Sequence, residues 1–250
     1  MKTIVKAIGL LNQWMAWIKR KQIVSVQREP VKVNLGSGLS VAEGWINIDG
    51  SLNALVSRWP TMILRACYRF SDVRQWYSRE EYIKILKENR FVHHRLDYGI
   101  PFKSESIDYL YSSHMLEHLF LEDAKILLME AYRSLKPRGI IRLAVPDLEH
   151  AFGLYEKGEK EKALSYFFAP IRSAAYEQHH YMYDFDLLKA LLESVGFGGV
   201  EKFAFQVGKV PDVEKLDNRP EETLFVEAKK CFSNRGEAMT GRFQEREGGN

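Results

Sequence analysis

Apolar residues along the chain alternate between short unbroken runs and helical stripes, a pattern that predicts strands separated by helices. Seven runs predict strands, at residues 31–35, 45–48, 91–96, 107–111, 139–145, 200–205 and 223–228. Apolar positions at three- and four-residue spacing predict a helix over 121–135, stopped by Pro137, and another over 185–195. The second helix has Asp184 as N-cap and Gly196 as its C-terminal stop. Strands that alternate with helices indicate an α/β fold with a mostly parallel sheet covered on both faces.

The length of 250 residues suits one α/β domain with insertions. The predicted division is an amphipathic N-terminal helix and linker at 1–30, a main domain at 31–230, and a polar, disordered tail at 231–250. Within the main domain, residues 50–89 predict a helical insertion, in which Ser78 and Glu81 form a capping box. Residues 146–177 predict a second helical elaboration.

A glycine turn follows the first predicted strand, in the segment VNLGSG that ends at Gly38. Gly36 and Gly38, on either side of Ser37, let a ligand approach the backbone closely because they carry no Cβ. The next strand ends at Asp49, whose carboxylate can accept hydrogen bonds from two ribose hydroxyls. Open α/β sheets hold nucleoside-containing cofactors at the carboxyl ends of their strands in this way. The alternative is a carboxylate that only caps the turn before Gly50.

Composition narrows the classes of partner and compartment. A net charge of +3 and an isoelectric point of about 8.7 do not argue for nucleic acid. The two cysteines, Cys67 and Cys231, lie far apart without a CxxC motif. The sequence therefore predicts neither a disulfide framework nor a cysteine zinc site. It predicts a cytoplasmic location. No apolar run is long enough to span a bilayer.

The N-terminal segment predicts a basic amphipathic helix. Its apolar stripe consists of Ile4, Ile8, Leu11, Met15 and Ile18. Trp14 and Trp17 widen this stripe, and lysines and an arginine lie on the other side, a pattern typical of helices that lie in a membrane interface. The favoured interpretation is a helix that covers the domain's own sheet. Peripheral contact of residues 1–21 with the inner face of the membrane, and an interface with a partner protein, stay open as alternatives.

Taken in order, these segments resemble the S-adenosylmethionine-dependent methyltransferases of the Rossmann-like class. The nearest resemblance is to small bacterial methyltransferases encoded with surface-polysaccharide genes. It covers roughly residues 31–230 and rests on VNLGSG, GWINID, RLDYGIPFKSESIDYLYSSHMLEHL, EAYRSLKPRGIIRLAVPDLE, YDFDLLKALLESVGF and ETLFVEAKK in this order. The resemblance implies a three-layer Rossmann-like fold with a seven-stranded sheet, S-adenosylmethionine as cofactor, and no required metal.

The resemblance also implies roles for individual residues. The implied cofactor-binding residues are Gly36, Ser37, Gly38, Asp49, Asp97, Tyr98, Ser112 and Ser113. Asp97 would accept a hydrogen bond from the adenine amino group, with Tyr98 beside the ring, although Asp97 could also be an ordinary turn residue. Ser112, Ser113 and His114 would lie where the methyl donor meets the acceptor.

Histidines supply the candidate proton acceptors. His114 follows the fourth predicted strand and His180 lies before the last helix, and an imidazole pKa near 6.5 suits general base catalysis. His118 follows His114 by four residues, with Glu117 beside it. The segment is not HExxH and the sequence indicates no third ligand, so no metal site is predicted. For His180 the alternative is a surface loop.

Three hypotheses about function follow. The first is methyl transfer to a small-molecule or glycan acceptor, with an oxygen favoured over a nitrogen and a lipid-linked glycan as one candidate. The second is a non-catalytic module that binds a nucleotide or a partner enzyme. Asn34 in place of the family's acid, Ser40 in place of a loop glycine, and the missing helix before Asp49 favour it. The third, a nicotinamide-dependent oxidoreductase, lacks GxGxxG. The sequence leaves the oligomeric state open.

Overall fold

The computed structural model describes residues 2–168 and 178–231, and its centre is a seven-stranded sheet. The strands are β1 (Lys32–Leu35), β2 (Ile46–Asp49), β3 (Arg90–His93), β4 (Ile107–Ser113), β5 (Leu135–Pro146), β6 (Phe197–Phe203) and β7 (Thr223–Lys230). Their order across the sheet is β3-β2-β1-β4-β5-β7-β6, and β7 runs antiparallel to both of its neighbours. The predicted mostly parallel, Rossmann-like sheet of seven strands is confirmed.

The helices in the described part are α1 (Lys2–Ile18), α2 (Leu52–Val56), α3 (Thr61–Phe70), α4 (Arg79–Glu88), α5 (Leu121–Ser134), α6 (Leu148–Glu156), α7 (Lys160–Ser165), α8 (Phe185–Ser194) and α9 (Val213–Leu216). Among these described helices, none combines the length and hydropathy needed to cross a bilayer. The predicted tail lies outside the described residues from position 232 onward, as does the part of the second elaboration at 169–177.

Local hydrogen bonds begin two of these helices where the sequence predicts. Ser78 Oγ accepts a hydrogen bond from the backbone of Glu81 at 3.2 Å, and Glu81 Oε2 accepts one from the backbone of Ser78 at 2.8 Å. Asp184 Oδ1 accepts from the backbone of Leu187 at 2.8 Å and begins α8. The helix predicted over 121–135 is confirmed as α5, which ends at Ser134, three residues before Pro137. Leu135 is already extended and pairs with Ile107 of β4.

Two apolar clusters attach the helices to the sheet. Leu110 and Leu143 pack with Leu128 of α5 and Leu188 of α8 in the main core. A separate cluster joins the helices between β2 and β3 to the sheet at Phe91, through Leu64, Tyr82 and Leu86. These helices therefore cover the sheet, which carries the loops at the carboxyl ends of its strands.

The connection between β1 and β2 is a loop without a helix. Backbone N–H groups of Gly36 and Ser37 donate to the carbonyl of Ile48, at 2.9 and 3.3 Å. The chain builds outward from β1 to β2 and β3 and then crosses back to β4 on the other side of β1. This reversal between β1 and β4 is a topological switch point, where open α/β sheets leave a crevice for ligands.

Candidate functional site

A cavity of about 630 Å³ opens beside the carboxyl ends of β1, β2 and β3. Its walls bring together Gly36, Asp49 and Asp97, three residues that the sequence assigns to one site. Leu96, Met115 and Leu119 supply apolar wall surface, and Asn12 of α1 also reaches the cavity. A concave, largely apolar cavity with a few polar groups is the usual form of a cofactor site.

Both carboxylate oxygens of Asp49 are held by backbone donors. Oδ2 accepts a hydrogen bond from the N–H of Gly38 at 2.8 Å, and Oδ1 accepts one from the N–H of Ser51 at 2.7 Å. Each carboxylate oxygen has a further lone pair, so Asp49 can still accept from a ligand hydroxyl. The carboxylate is therefore oriented before any ligand binds.

The two loop glycines share a backbone conformation but differ in their surroundings. Gly36 and Gly38 have φ angles of +63° and +52°, which residues with a side chain rarely adopt. A Cβ on Gly36 would collide with the side chain of Met115, so a protein side chain makes the close approach predicted for a ligand. A Cβ on Gly38 would meet open space.

Asn34 fastens the glycine loop from below. Its buried Nδ2 donates to the carbonyl of Ser40 at 2.8 Å and to Oδ1 of Asn47 at 3.2 Å. A carboxylate at this position could accept hydrogen bonds but could not donate them. Asn34 therefore has a structural role in this loop that an aspartate could not fill.

Asp97 and Tyr98 differ in their positions. Both oxygens of Asp97 accept from the guanidinium of Arg95, with a shortest distance of 2.8 Å, and Asp97 borders the cavity. The ring of Tyr98 packs edge-on against His94 and does not line the cavity. Leu96 takes the apolar wall position that the sequence analysis assigns to Tyr98.

A smaller cavity of about 160 Å³ lies at the ends of β1 and β4, and Gly36 lines both cavities. Ser37, Ser113 and His114 border the smaller one. Ser112 does not, because it is buried and its hydroxyl donates to the carbonyl of Leu35 at 3.1 Å. Ser112 therefore ties β4 to β1, and Gly36 is the residue that the two cavities share.

His114 has a hydrogen-bond partner on Nε2 and a carboxylate near Nδ1. Its Nε2 lies 3.1 Å from Thr223 Oγ1, and its Nδ1 lies 3.4 Å from Oε1 of Glu117. The backbone of His114 has φ +48°, a strained value for a residue with a Cβ. Residues held in this way often belong to functional sites, because the surrounding structure must impose the strain.

His180 lies away from both cavities. Its ring stacks on Phe120 with the ring centres 4.2 Å apart, and it borders neither cavity. Its neighbour His179 is half-buried, and burial lowers the pKa of that imidazole below its ordinary value. Sequence reasoning misses Asn218 and Arg219, which border the smaller cavity from the loop before β7 without any periodic signal.

Comparisons with known proteins agree on a fold and on a domain type. Residues 59–143, roughly a third of the chain, match the model of a methyltransferase domain. A comparison with curated proteins gave no match. The matched domain supports an S-adenosylmethionine-dependent methyltransferase, with S-adenosylmethionine as its cofactor.

Solved structures with a similar fold include two S-adenosylmethionine-dependent methyltransferases. One is from Thermotoga maritima, at 16% identity and a TM-score of 0.47, with 92% of this chain and 96% of that chain covered. The other is from Archaeoglobus fulgidus, at 16% identity and a TM-score of 0.46, with 89% and 94% covered. Phosphoethanolamine N-methyltransferase 2 of Haemonchus contortus has 14% identity and a TM-score of 0.44, with 88% and 53% covered. TM-scores below 0.5 carry no argument about activity.

Proposed function

We propose that the protein transfers a methyl group from S-adenosylmethionine to an oxygen of a small-molecule or glycan acceptor. The observation that carries this proposal is that Gly36 lines two neighbouring cavities. Asp49 and Asp97 border the larger cavity, and His114 borders the smaller one. Cofactor and acceptor would then approach each other across the glycine loop, in the crevice where the strand order reverses.

The residues of the larger cavity fit a nucleoside-containing cofactor. The oriented carboxylate of Asp49 would accept from ribose hydroxyls, and Asp97 would accept from the adenine amino group. Leu96, Met115 and Leu119 would contact the adenine ring. Gly38 borders neither cavity and would contribute through its N–H, which holds Asp49 Oδ2. The cofactor itself supplies an activated methyl group on a sulfonium sulfur.

The chain's own contribution to the chemistry would be positioning and proton removal. Methyl transfer needs donor, methyl group and acceptor in line, so much of the acceleration comes from orientation. His114 would take the proton of the acceptor hydroxyl, and the side chain of Glu117, 3.4 Å from Nδ1, would orient the imidazole ring. General base catalysis typically contributes about 10²–10⁴-fold.

Cofactor binding is tested by isothermal titration calorimetry with S-adenosylhomocysteine on the wild type and on Asp49→Asn. We expect the wild type to bind, and the variant to bind at least about tenfold more weakly or not at all. In the variant an amide NH₂ group, which donates, replaces one accepting carboxylate oxygen. Asp72→Asn, an exposed position outside both cavities, is the matched control. Absence of binding by the folded wild type contradicts the proposal. Binding without transfer to any acceptor would favour the non-catalytic module.

Exposed apolar side chains on α1 support the proposal that the acceptor lies at a membrane surface. Ala16 is buried and Asn12 Nδ2 donates to the carbonyl of Gly50 at 2.8 Å, so this side of α1 packs on the domain. Trp14 and Trp17 remain 57% and 51% exposed. Basic residues 19–21 follow the helix. Tryptophan and basic residues together are typical of helices that bind anionic lipid surfaces.

The insertion adds similar surface near α1. Met62 and Phe70 of α3 are about four-fifths exposed, and Arg65 and Arg69 lie on the same helix. Lys19, directly after α1, lies close to this insertion, because Lys19 and Arg58 line the same cavity. We therefore include peripheral binding to anionic membranes in the proposed function, with a lipid-linked glycan as the candidate acceptor.

Membrane binding is tested by co-sedimentation with phosphatidylcholine vesicles, with and without phosphatidylglycerol. We expect binding only to the anionic vesicles, and its loss in the double variant Trp14→Ser/Trp17→Ser. The control is Ile126→Ser/Met129→Ser, which removes two equally exposed apolar side chains from α5. Equal binding by the tryptophan variant would exclude α1 as the membrane contact.

A further inference from the structure

A buried carboxylate without a hydrogen-bond partner lies at the end of β4. Glu117 is 0% exposed, and neither of its side-chain oxygens has a hydrogen-bond partner within the described structure. The nitrogens near Oε1 belong to imidazoles, at 3.4 Å for His114 Nδ1 and 3.9 Å for His118 Nε2. A buried ionised carboxylate is costly unless it is paired or binds a metal ion. This cost indicates a missing positive partner.

Two histidines beside Glu117 are oriented through their Nδ1 atoms. His118 Nδ1 lies 3.1 Å from the carbonyl oxygen of Gln178, and His179 Nδ1 lies 2.7 Å from the carbonyl oxygen of Tyr166. A carbonyl oxygen only accepts, so each Nδ1 carries the hydrogen and each neutral ring keeps a lone pair on Nε2. Metal-binding histidines are held by hydrogen bonds of this kind.

We propose that Glu117, His118 and His179 bind one divalent transition-metal ion. Their three ligand atoms lie within 4.8 Å of one another. In a tetrahedral site, metal bonds of about 2.0–2.2 Å place two ligand atoms about 3.5 Å apart. Glu117 Oε1 and His118 Nε2 are 3.9 Å apart, so side-chain rotations that bring the three ligand atoms closer together complete the site. Two imidazoles and one carboxylate favour Zn²⁺ or Fe²⁺ over Mg²⁺ or Ca²⁺, which prefer oxygen ligands.

The bound ion would neutralise Glu117 and connect the end of β4 to the loop that precedes α8. Three protein ligands leave at least one coordination position open, and His118 is partly exposed. Water would occupy the open position. Glu117 also lies 3.4 Å from His114 Nδ1, so Glu117 would stand between the ion and the proposed proton acceptor. The metal site does not depend on the proposed methyl transfer.

The test is calorimetric titration of the chelator-treated full chain with Zn²⁺, together with the visible absorption of bound Co²⁺. We expect one ion per chain in the wild type and at least about 100-fold weaker binding in Glu117→Gln and His179→Gln. His180→Gln is the matched control, since His180 adjoins His179 but stacks on Phe120 outside the cluster. Its Zn²⁺ affinity should equal that of the wild type.

Thermal unfolding and S-adenosylhomocysteine binding, both measured on the metal-free proteins, establish that each variant is folded. Absence of Zn²⁺ and Co²⁺ binding by the folded wild type overturns the metal site. So does a Zn²⁺ affinity that is unchanged in folded His179→Gln. Because cofactor binding is measured without metal, failure of the metal site and failure of the methyltransferase proposal give different results.

Discussion

The Oδ2 atom of Asp49 lies 2.8 Å from the backbone nitrogen of Gly38, so the carboxylate at the end of β2 closes the loop that follows β1. The same carboxylate borders the larger cavity. One side chain therefore shapes the loop and faces the proposed ligand. A substitution at this position affects both, which is why the calorimetric test uses Asp49→Asn, the change that best preserves shape.

Gly36→Ala should destabilise the protein by about 1–3 kcal/mol, because φ +63° is strained for alanine and the new Cβ collides with Met115. Urea denaturation measures the change in the free energy of unfolding. In the double variant with Met115→Ala, the part of the stability loss that the collision causes should be recovered. If the double variant shows strictly additive losses, Met115 is not the obstacle.

Asn34→Asp should loosen the glycine loop, because a carboxylate cannot donate to the carbonyl of Ser40. We expect S-adenosylhomocysteine affinity to fall about tenfold, which equals the loss of about 1.4 kcal/mol for one buried hydrogen bond. Calorimetry measures the change. Tighter binding in Asn34→Asp would show instead that an acid at this position serves the ligand directly in this chain.

His114→Gln should lower kcat about 10²–10⁴-fold and leave S-adenosylhomocysteine affinity unchanged, because His114 borders only the smaller cavity. Steady-state kinetics on an accepted substrate and calorimetry measure the two effects separately. The matched variant is His180→Gln, whose ring borders neither cavity and should leave kcat near the wild-type value. A larger loss of kcat in His180→Gln would reverse the assignment.

Arg142→Met should destabilise the protein by about 3–5 kcal/mol, because it leaves two buried carboxylates without their partner. The guanidinium is fully buried and lies 2.6 Å from Asp217 Oδ2 and 3.0 Å from Glu227 Oε1. Urea denaturation measures the loss. The control is Lys84→Met, at an exposed position of α4, which should leave the free energy of unfolding unchanged. A loss below about 1 kcal/mol in Arg142→Met would show that the network is not needed.

Stability should fall as the pH is lowered through the range set by His93. Burial lowers the pKa of His93 to about 4, whereas the unfolded chain titrates near 6.5. The unfolded state therefore binds the proton first, and the folded state loses about 2 kcal/mol between pH 7 and pH 5. Urea denaturation at both pH values measures this loss. His93→Leu should remove most of it, and an unchanged pH dependence would exclude His93 as its source.

Much of the fold could be predicted because its signals are local. The capping box of Ser78 and Glu81 and the N-cap Asp184 act within one helical turn, and the structure contains both. Buried parallel strands appear as short apolar runs. Strand ends were less predictable. β5 begins at Leu135 rather than at Gly139, because the irregular pairing with β4 extends it.

The site divides in the same way. The sequence alone determined the glycine turn and Asp49, whose roles follow from backbone freedom and from the end of a strand. Only the tertiary structure decided that Met115 meets Gly36 and that His179 meets Glu117. Nothing local in the sequence therefore connects His179 with Glu117 and His118. Such contacts depend on where long loops return to the sheet, and no local periodicity records that path.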